Sequence, residues 1–149
     1  MIDGLLLITT YTARFVAFFL VPLYLYYRDR EKLYPYISSL FFVLVVTYGL
    51  KYGLNVPRPE GALIDVVTPR FPSGHTSIAF TPLLFFPSWK GRSLILAYGG
   101  LVAYTRIHFN VHVPVDLAAS IIIALFVSYL CLSKKDYINR KLGSFLKDF

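Results

Sequence analysis

The sequence predicts an all-α fold, an integral membrane helical bundle with about five transmembrane helices, and three observations carry that prediction. First, hydrophobic residues make up 56% of the chain, aromatic residues 17% and charged residues only 15%, with a mean hydropathy of +0.60. Soluble domains carry about 25% charged residues, so this chain is short of groups to face water. Second, five apolar segments stand out, most of them near the length a bilayer demands. Third, the basic residues fall unevenly between those segments. With 149 residues the chain has room for one domain and hardly two, so 1–149 is read as a single membrane-embedded domain.

The first segment runs from about Leu5 to Tyr27 and is interrupted by Arg14. The second covers Pro35 to Tyr52. The third runs from about Gly74 to Trp89, with a kink expected at Pro82 because proline removes a helical N–H. The fourth covers Ser93 to about Ile107, and the fifth covers Pro114 to Leu132. A span needs roughly 20 residues, so the third and fourth are at or below the limit, which places their ends at headgroup depth. The single cysteine, Cys131, lies in an apolar run and reads as a small buried hydrophobe.

Basic residues set the orientation. Arg28, Arg30 and Lys32 fall after the first segment, Lys90 and Arg92 after the third, and Lys134, Lys135, Arg140, Lys141 and Lys147 in the tail. With five spans these places share one side, which the positive-inside rule makes cytoplasmic. The C-terminus is then inside and the N-terminus outside. In the tail, 134–149, Ile138, Leu142, Phe145, Leu146 and Phe149 recur at helical spacing among basic residues, predicting an amphipathic helix on the anionic inner leaflet. Trp89, Tyr24, Tyr26 and Tyr27 read as interface anchors. The net charge of +7 would suggest nucleic acid on a soluble protein; in this distribution it points to the membrane surface, and no nucleic-acid partner is expected.

Three clusters meet on the opposite face: "KYGLNVPRP" (Lys51 to Pro59), "PSGH" (Pro72 to His75) and "RIHFNVHVPVD" (Arg106 to Asp116). Lys51, Arg58 and Arg106 are cations with few acids nearby, so an anion is their natural partner, and arginine suits tetrahedral oxyanions. Ser73 and Gly74 open a helix, where free N–H groups favour an anion and glycine permits close approach. Pro114 fits the first turn of the fifth helix, which places Asp116 within reach of His112. A histidine so oriented can attack phosphorus, while His75 protonates the leaving oxygen. His108, His112 and Asp116 also stand at metal-ligand spacing, but Pro114 argues against one continuous helix through them and the cations repel a metal, so no metal is assigned. Arg14 is read as an internal polar contact and Arg70 as an exposed loop cation, with contact to a second phosphate as the alternative for each.

On these residues the chain resembles the type 2 phosphatidic acid phosphatase superfamily, which also contains bacterial acid phosphatases and vanadium haloperoxidases. The family pattern is Lys-x6-Arg-Pro, then Pro-Ser-Gly-His, then Ser-Arg-x5-His-x3-Asp. Lys51 through Arg58-Pro59, Pro72-Ser73-Gly74-His75, and Arg106, His112 and Asp116 match it, with Thr105 replacing the serine. The resemblance implies a phosphohistidine on His112, orientation by Asp116, and acid then base catalysis by His75. It implies a phosphate held by Lys51, Arg58, Ser73, Gly74 and Arg106, with no metal and no other cofactor. Membrane members usually have six spans, one more than are read here. The expected activity is removal of phosphate from a lipid headgroup at the periplasmic or outer face of a bacterial inner (cell) membrane. Lipid A 1-phosphate and undecaprenyl diphosphate lead as substrates, followed by phosphatidylglycerophosphate and phosphatidic acid. Transfer of phosphate to an alcohol, and non-catalytic anion transport, are the alternatives. Oligomeric state is not legible in the sequence.

Overall fold

A computed structural model describes residues 2–145. The described residues form seven α-helices: α1 (Ile2–Phe15), α2 (Val21–Arg28), α3 (Leu33–Leu54), α4 (Gly74–Phe80), α5 (Trp89–His108), α6 (Pro114–Ser133) and α7 (Lys135–Phe145). The described residues contain no strand, so the all-α expectation holds. Among them, three helical stretches are long and apolar enough to cross a membrane: Gly4–Arg28, Arg30–Leu54 and Pro114–Ser133. The expected count of about five is not reached by that measure. The third sequence segment breaks where Pro82 enters: α4 has 7 residues and the 3-10 turn Thr81–Phe85 adds 5. Trp89 does not end this segment but starts α5, whose N-cap Ser88 accepts the Gly91 N–H at 3.1 Å.

The first apolar segment is helical from end to end, but α1 and α2 are joined by a π turn, Val16–Leu20. Local chemistry supports the wider turn. The Val21 N–H bonds to the Val16 carbonyl, and Pro22 has no N–H to offer the Ala17 carbonyl. The Tyr36 hydroxyl donates to that carbonyl instead, at 2.8 Å.

Helix α4 is the hub. Almost every residue in it is buried, and it packs against α1, α3, α5 and α6. Between lipid-facing helices the glue is close approach of small residues and hydroxyl bridges rather than hydrophobic contrast. Thr47 on α3 donates to Ser77 on α4 at 3.2 Å, Ser39 and Ser128 join α3 to α6 at 2.9 Å, and Ser128 also donates to the Thr81 carbonyl at 3.1 Å. Gly99 on α5 admits the Phe80 ring, which a Cβ there would meet at 2.9 Å.

At one end of the bundle, α7 leans on the turn before α3: Lys135 pairs with Glu31 at 3.1 Å and Asn139 donates to the Glu31 carbonyl at 2.8 Å. Tyr24 stacks on Phe86 with centroids 4.8 Å apart, bringing the Lys90 and Arg92 corner to the same end. The basic clusters read as one side therefore share one end of the molecule. The tail is helical through Phe145, while Leu146, Lys147 and Phe149 lie outside the described residues. Trp89 and Tyr27 are exposed, as membrane anchors must be.

Two adjacent glycines separate packing from helix propensity. Gly99→Ala forces a methyl into the buried Phe80 ring and is expected to cost about 1–3 kcal/mol. Gly100→Ala, with nothing within 4 Å of its Cβ, is expected to be neutral or stabilising. Thermal unfolding of both variants in one detergent checks the contrast; equal effects would mean that Phe80 does not pack on Gly99.

Candidate active site

The other end of the bundle holds a cavity of about 150 Å³ lined by Arg14, Tyr48, Lys51, Arg58, Val66, Thr68, Gly74, His75, Arg106, Val111 and His112. Six of the eight residues expected from the sequence line it: Lys51, Arg58, Gly74, His75, Arg106 and His112. Asp116 and Ser73 sit just behind the wall, both fully buried.

Local rules place each residue. Helix α3 stops because Asn55 turns left-handed, with φ of 46°, and its N–H caps the Lys51 carbonyl at 3.1 Å. Lys51 therefore projects from the last turn. Its ammonium donates to the carbonyls of Pro69 (2.6 Å) and Arg70 (3.1 Å). Arg58, in the loop between α3 and α4, is fixed in the same way by the carbonyls of Thr68 (2.9 Å) and Val111 (2.6 Å) and the Thr68 hydroxyl (3.1 Å). Arg106 is only 2% exposed, and its Nε donates to the Thr105 hydroxyl at 3.1 Å. The threonine that replaces the family serine thus uses its hydroxyl to hold the arginine.

Pro114 starts α6, and Asp116 in its first turn accepts the Val113 N–H at 3.1 Å. The same Oδ2 lies 3.2 Å from His112 Nδ1. A carboxylate only accepts, so Nδ1 carries the proton and Nε2 keeps its lone pair toward the cavity. Helix α5 ends at His108, and Asn110 turns left-handed at φ 50° before α6 begins. His108, His112 and Asp116 are therefore not on one helix. His108 packs between Tyr104 and Phe109 and is absent from the cavity wall.

Ser73 occupies the N-cap position of α4 without a side-chain cap bond. Its N–H goes to Ser120 Oγ at 2.7 Å, its Oγ accepts from Thr76 at 3.0 Å, and Ser120 donates to the Asp116 carbonyl at 2.6 Å. The serine thus ties the start of α4 to α6. A Cβ at Gly74 would meet only the Tyr48 hydroxyl, at 3.8 Å, so the packing alone does not demand glycine there. Tyr48, Thr68 and Ser120 carried no motif signal and were missed by sequence reasoning.

Two readings need correction. Arg70 is not an exposed loop cation: its side chain is 22% exposed and its Nε stands 3.1 Å from Asp116 Oδ2. Arg14 makes no internal hydrogen bond or ion pair among the described residues and instead lines the cavity.

Arg14, Lys51, Arg58 and Arg106 thus surround two imidazoles, which suits a multiply charged oxyanion. Burial first, then the charges of Arg58, Lys51 and Arg106, hold the His112 imidazole far below its ordinary 6.5. It is therefore neutral at physiological pH.

Comparison with known proteins follows the same lines. Residues 32–140 match the PAP2 superfamily. The undecaprenyl-diphosphatase BcrC of Bacillus subtilis (strain 168) is 24% identical over 142 residues, covering 89% of this chain and 74% of that protein. The crystal structure of Aquifex aeolicus LpxE superposes with a TM-score of 0.76 at 28% identity, over 89% of this chain and 86% of that one.

The depressed His112 value has a sign. As pH falls below the ordinary 6.5, the unfolded chain takes a proton on His112 that the folded chain refuses. His112 should therefore make the fold less stable toward acid. Nitrogen-15 spectra of labelled protein in detergent should show His112 neutral, with its proton on Nδ1, down to about pH 5. Protonation near the ordinary value would mean that the cavity is more hydrated than its geometry implies.

Proposed function

The chain belongs to the PAP2 superfamily and is a hydrolase of phosphoric ester bonds, and from that premise we propose that it is a metal-independent lipid phosphate phosphatase working through a phosphohistidine. The observation that carries this reading is the Asp116–His112 pair facing a cavity walled by cations and a second histidine.

In this reading Lys51, Arg58 and Arg106 hold the phosphate oxygens, and Gly74 leaves room for them beside the start of α4. Ser73 contributes from behind the wall by fixing that helix start. His112 Nε2 attacks phosphorus; the N–P bond forms as the bond to the leaving oxygen breaks. The leaving oxygen keeps the electron pair and takes a proton from His75; burial and the surrounding cations press this imidazole toward its neutral form, and the negative charge of the bound phosphate offsets them so that it carries the proton in the complex. Asp116 stabilises the charge that develops on His112. Water, surrendering a proton to His75, then attacks the phosphohistidine, which frees inorganic phosphate and restores both imidazoles. Tethered cations provide the electrostatic stabilisation that a metal supplies elsewhere.

The substrate is a lipid because the cavity sits at the end of a bundle with helices apolar enough to span a bilayer. A headgroup phosphate diffusing in the membrane arrives at that depth. The basic end faces the cytoplasm and the cavity the outer or periplasmic side of a bacterial inner membrane. Lipid A 1-phosphate and undecaprenyl diphosphate are the leading substrates; the similarity to BcrC, named for the second, supports it.

Purified protein should release phosphate from one or more of lipid A, undecaprenyl diphosphate, phosphatidylglycerophosphate and phosphatidic acid, with EDTA present. His112→Ala should lower that release by roughly a thousandfold or more. Release that EDTA abolishes, or that survives in the variant, would overturn the mechanism. Arg70→Ala, which removes the cation from Asp116 Oδ2, should lower kcat about tenfold, a barrier rise of about 1.4 kcal/mol, with KM little changed. A rise in KM at constant kcat would instead mean that Arg70 binds substrate.

A further inference from the structure

Arg14 is the cavity cation to which the phosphatase chemistry assigns no task. It lies ten residues into the apolar stretch Gly4–Arg28, outside the matched residues 32–140. A cation at that depth is costly, and where one occurs it faces a polar cavity or a charged partner. Arg14 lines the cavity, and its charge bears on His75 together with those of Arg106, Lys51 and Arg58. Lys51, Arg58 and Arg106 are each tethered by protein oxygens. Arg14 has no hydrogen bond or ion pair among the described residues, so its whole donor fork is open to a ligand. It is also exposed although it lies within the apolar stretch Gly4–Arg28, and in the membrane-spanning reading of that stretch it stands beside the bilayer.

The proposed mechanism divides the cavity into an attacking side, at His112, and a leaving-group side, at His75. A cation near His75 and next to the bilayer faces the leaving group, which is the lipid. From this we infer that Arg14 binds the lipid-side phosphate of a diphosphate lipid and selects diphosphates over monophosphates.

The inference rests on the phosphatase reading and specifies its substrate class. In a diphosphate, attack on the terminal phosphorus breaks its bond to the bridging oxygen. That oxygen keeps the electron pair, takes the His75 proton and leaves as part of a lipid monophosphate. The departing group is anionic, and Arg14 is the cation beside it. A monophosphate ester leaves as a neutral alcohol and offers Arg14 no such partner.

The test compares kcat/KM of the full chain in detergent on undecaprenyl diphosphate and on phosphatidic acid. Arg14→Ala should lower the diphosphate-to-monophosphate ratio about tenfold to a hundredfold, and Arg14→Lys should restore part of it. A second readout needs no turnover: affinity for pyrophosphate and for inorganic phosphate by calorimetry, with the same fall in ratio expected. An equal loss on both ligands, or no loss on either, would overturn the assignment. A wild-type protein that prefers pyrophosphate through Arg14 yet releases phosphate from no lipid would sink the phosphatase reading, and with it the lipid substrate assigned here, leaving Arg14 as a diphosphate-binding residue only.

Discussion

One buried carboxylate organises the cavity end of this protein. Asp116 has no solvent exposure, and a single oxygen, Oδ2, meets His112 Nδ1, the Val113 N–H and the Arg70 side chain. A buried charge is tolerated only when it is paired and hydrogen-bonded, so these partners stabilise the carboxylate as much as it orients them. The arrangement fixes the His112 tautomer and the first turn of α6, and it draws the Arg70 loop inward. Arg70 in turn offers its own carbonyl to Lys51 at 3.1 Å. One residue thus connects the orienting acid to the end of α3.

The cations around the cavity follow a complementary rule. Lys51 and Arg58 are held by backbone carbonyls and a hydroxyl rather than by carboxylates. A neutral acceptor orients a cation without cancelling its charge. Pairing with aspartate or glutamate would have fixed them equally well and left little attraction for an anion. Orientation without neutralisation is the preorganisation that electrostatic catalysis requires. The loop between α3 and α4 supplies these acceptors apart from the Val111 carbonyl, which comes from the turn before α6, and the loop is itself pinned by the Leu63 N–H to the Phe109 carbonyl at 3.0 Å and by Asn110 to the Glu60 carbonyl at 2.8 Å.

How far the sequence disclosed this depended on the kind of signal. Long apolar runs and uneven lysines and arginines foretold helices and the sharing of one end by the basic clusters, because hydropathy and charge are additive and local. The motif residues foretold most of the cavity wall, because their chemistry is distinctive wherever the fold places it. Arg70 was misread, since its meaning depends on the path of a loop that periodicity does not describe. Ser120 and Tyr48 were invisible for a related reason: a serine or tyrosine in an apolar helix is ordinary until its neighbours are known. Pro82 was read as a kink, but it ended α4 outright, and this left the hub helix too short to count as a span. The π turn in the first segment had a sequence cause, Pro22, but needed Tyr36 from another helix to satisfy the carbonyl left open.

The balance of charge in the cavity carries a consequence for the molecule as a whole. Arg14, Lys51, Arg58 and Arg106 line one small space, with Asp116 behind the wall already engaged by Arg70 and His112. Like charges held together resist each other, and burial deepens the cost. These charges therefore oppose the packing that α3, α4, α5 and α6 otherwise favour. An oxyanion that binds the folded site and not the unfolded chain removes that opposition and stabilises the fold in proportion to its occupancy. Anion affinity and the stability of this end of the bundle are thus two expressions of the same unneutralised charge. The hydroxyl bridges between Ser39 and Ser128 and between Thr47 and Ser77 are not part of the cavity wall, and they keep the helices together whether or not an anion is bound.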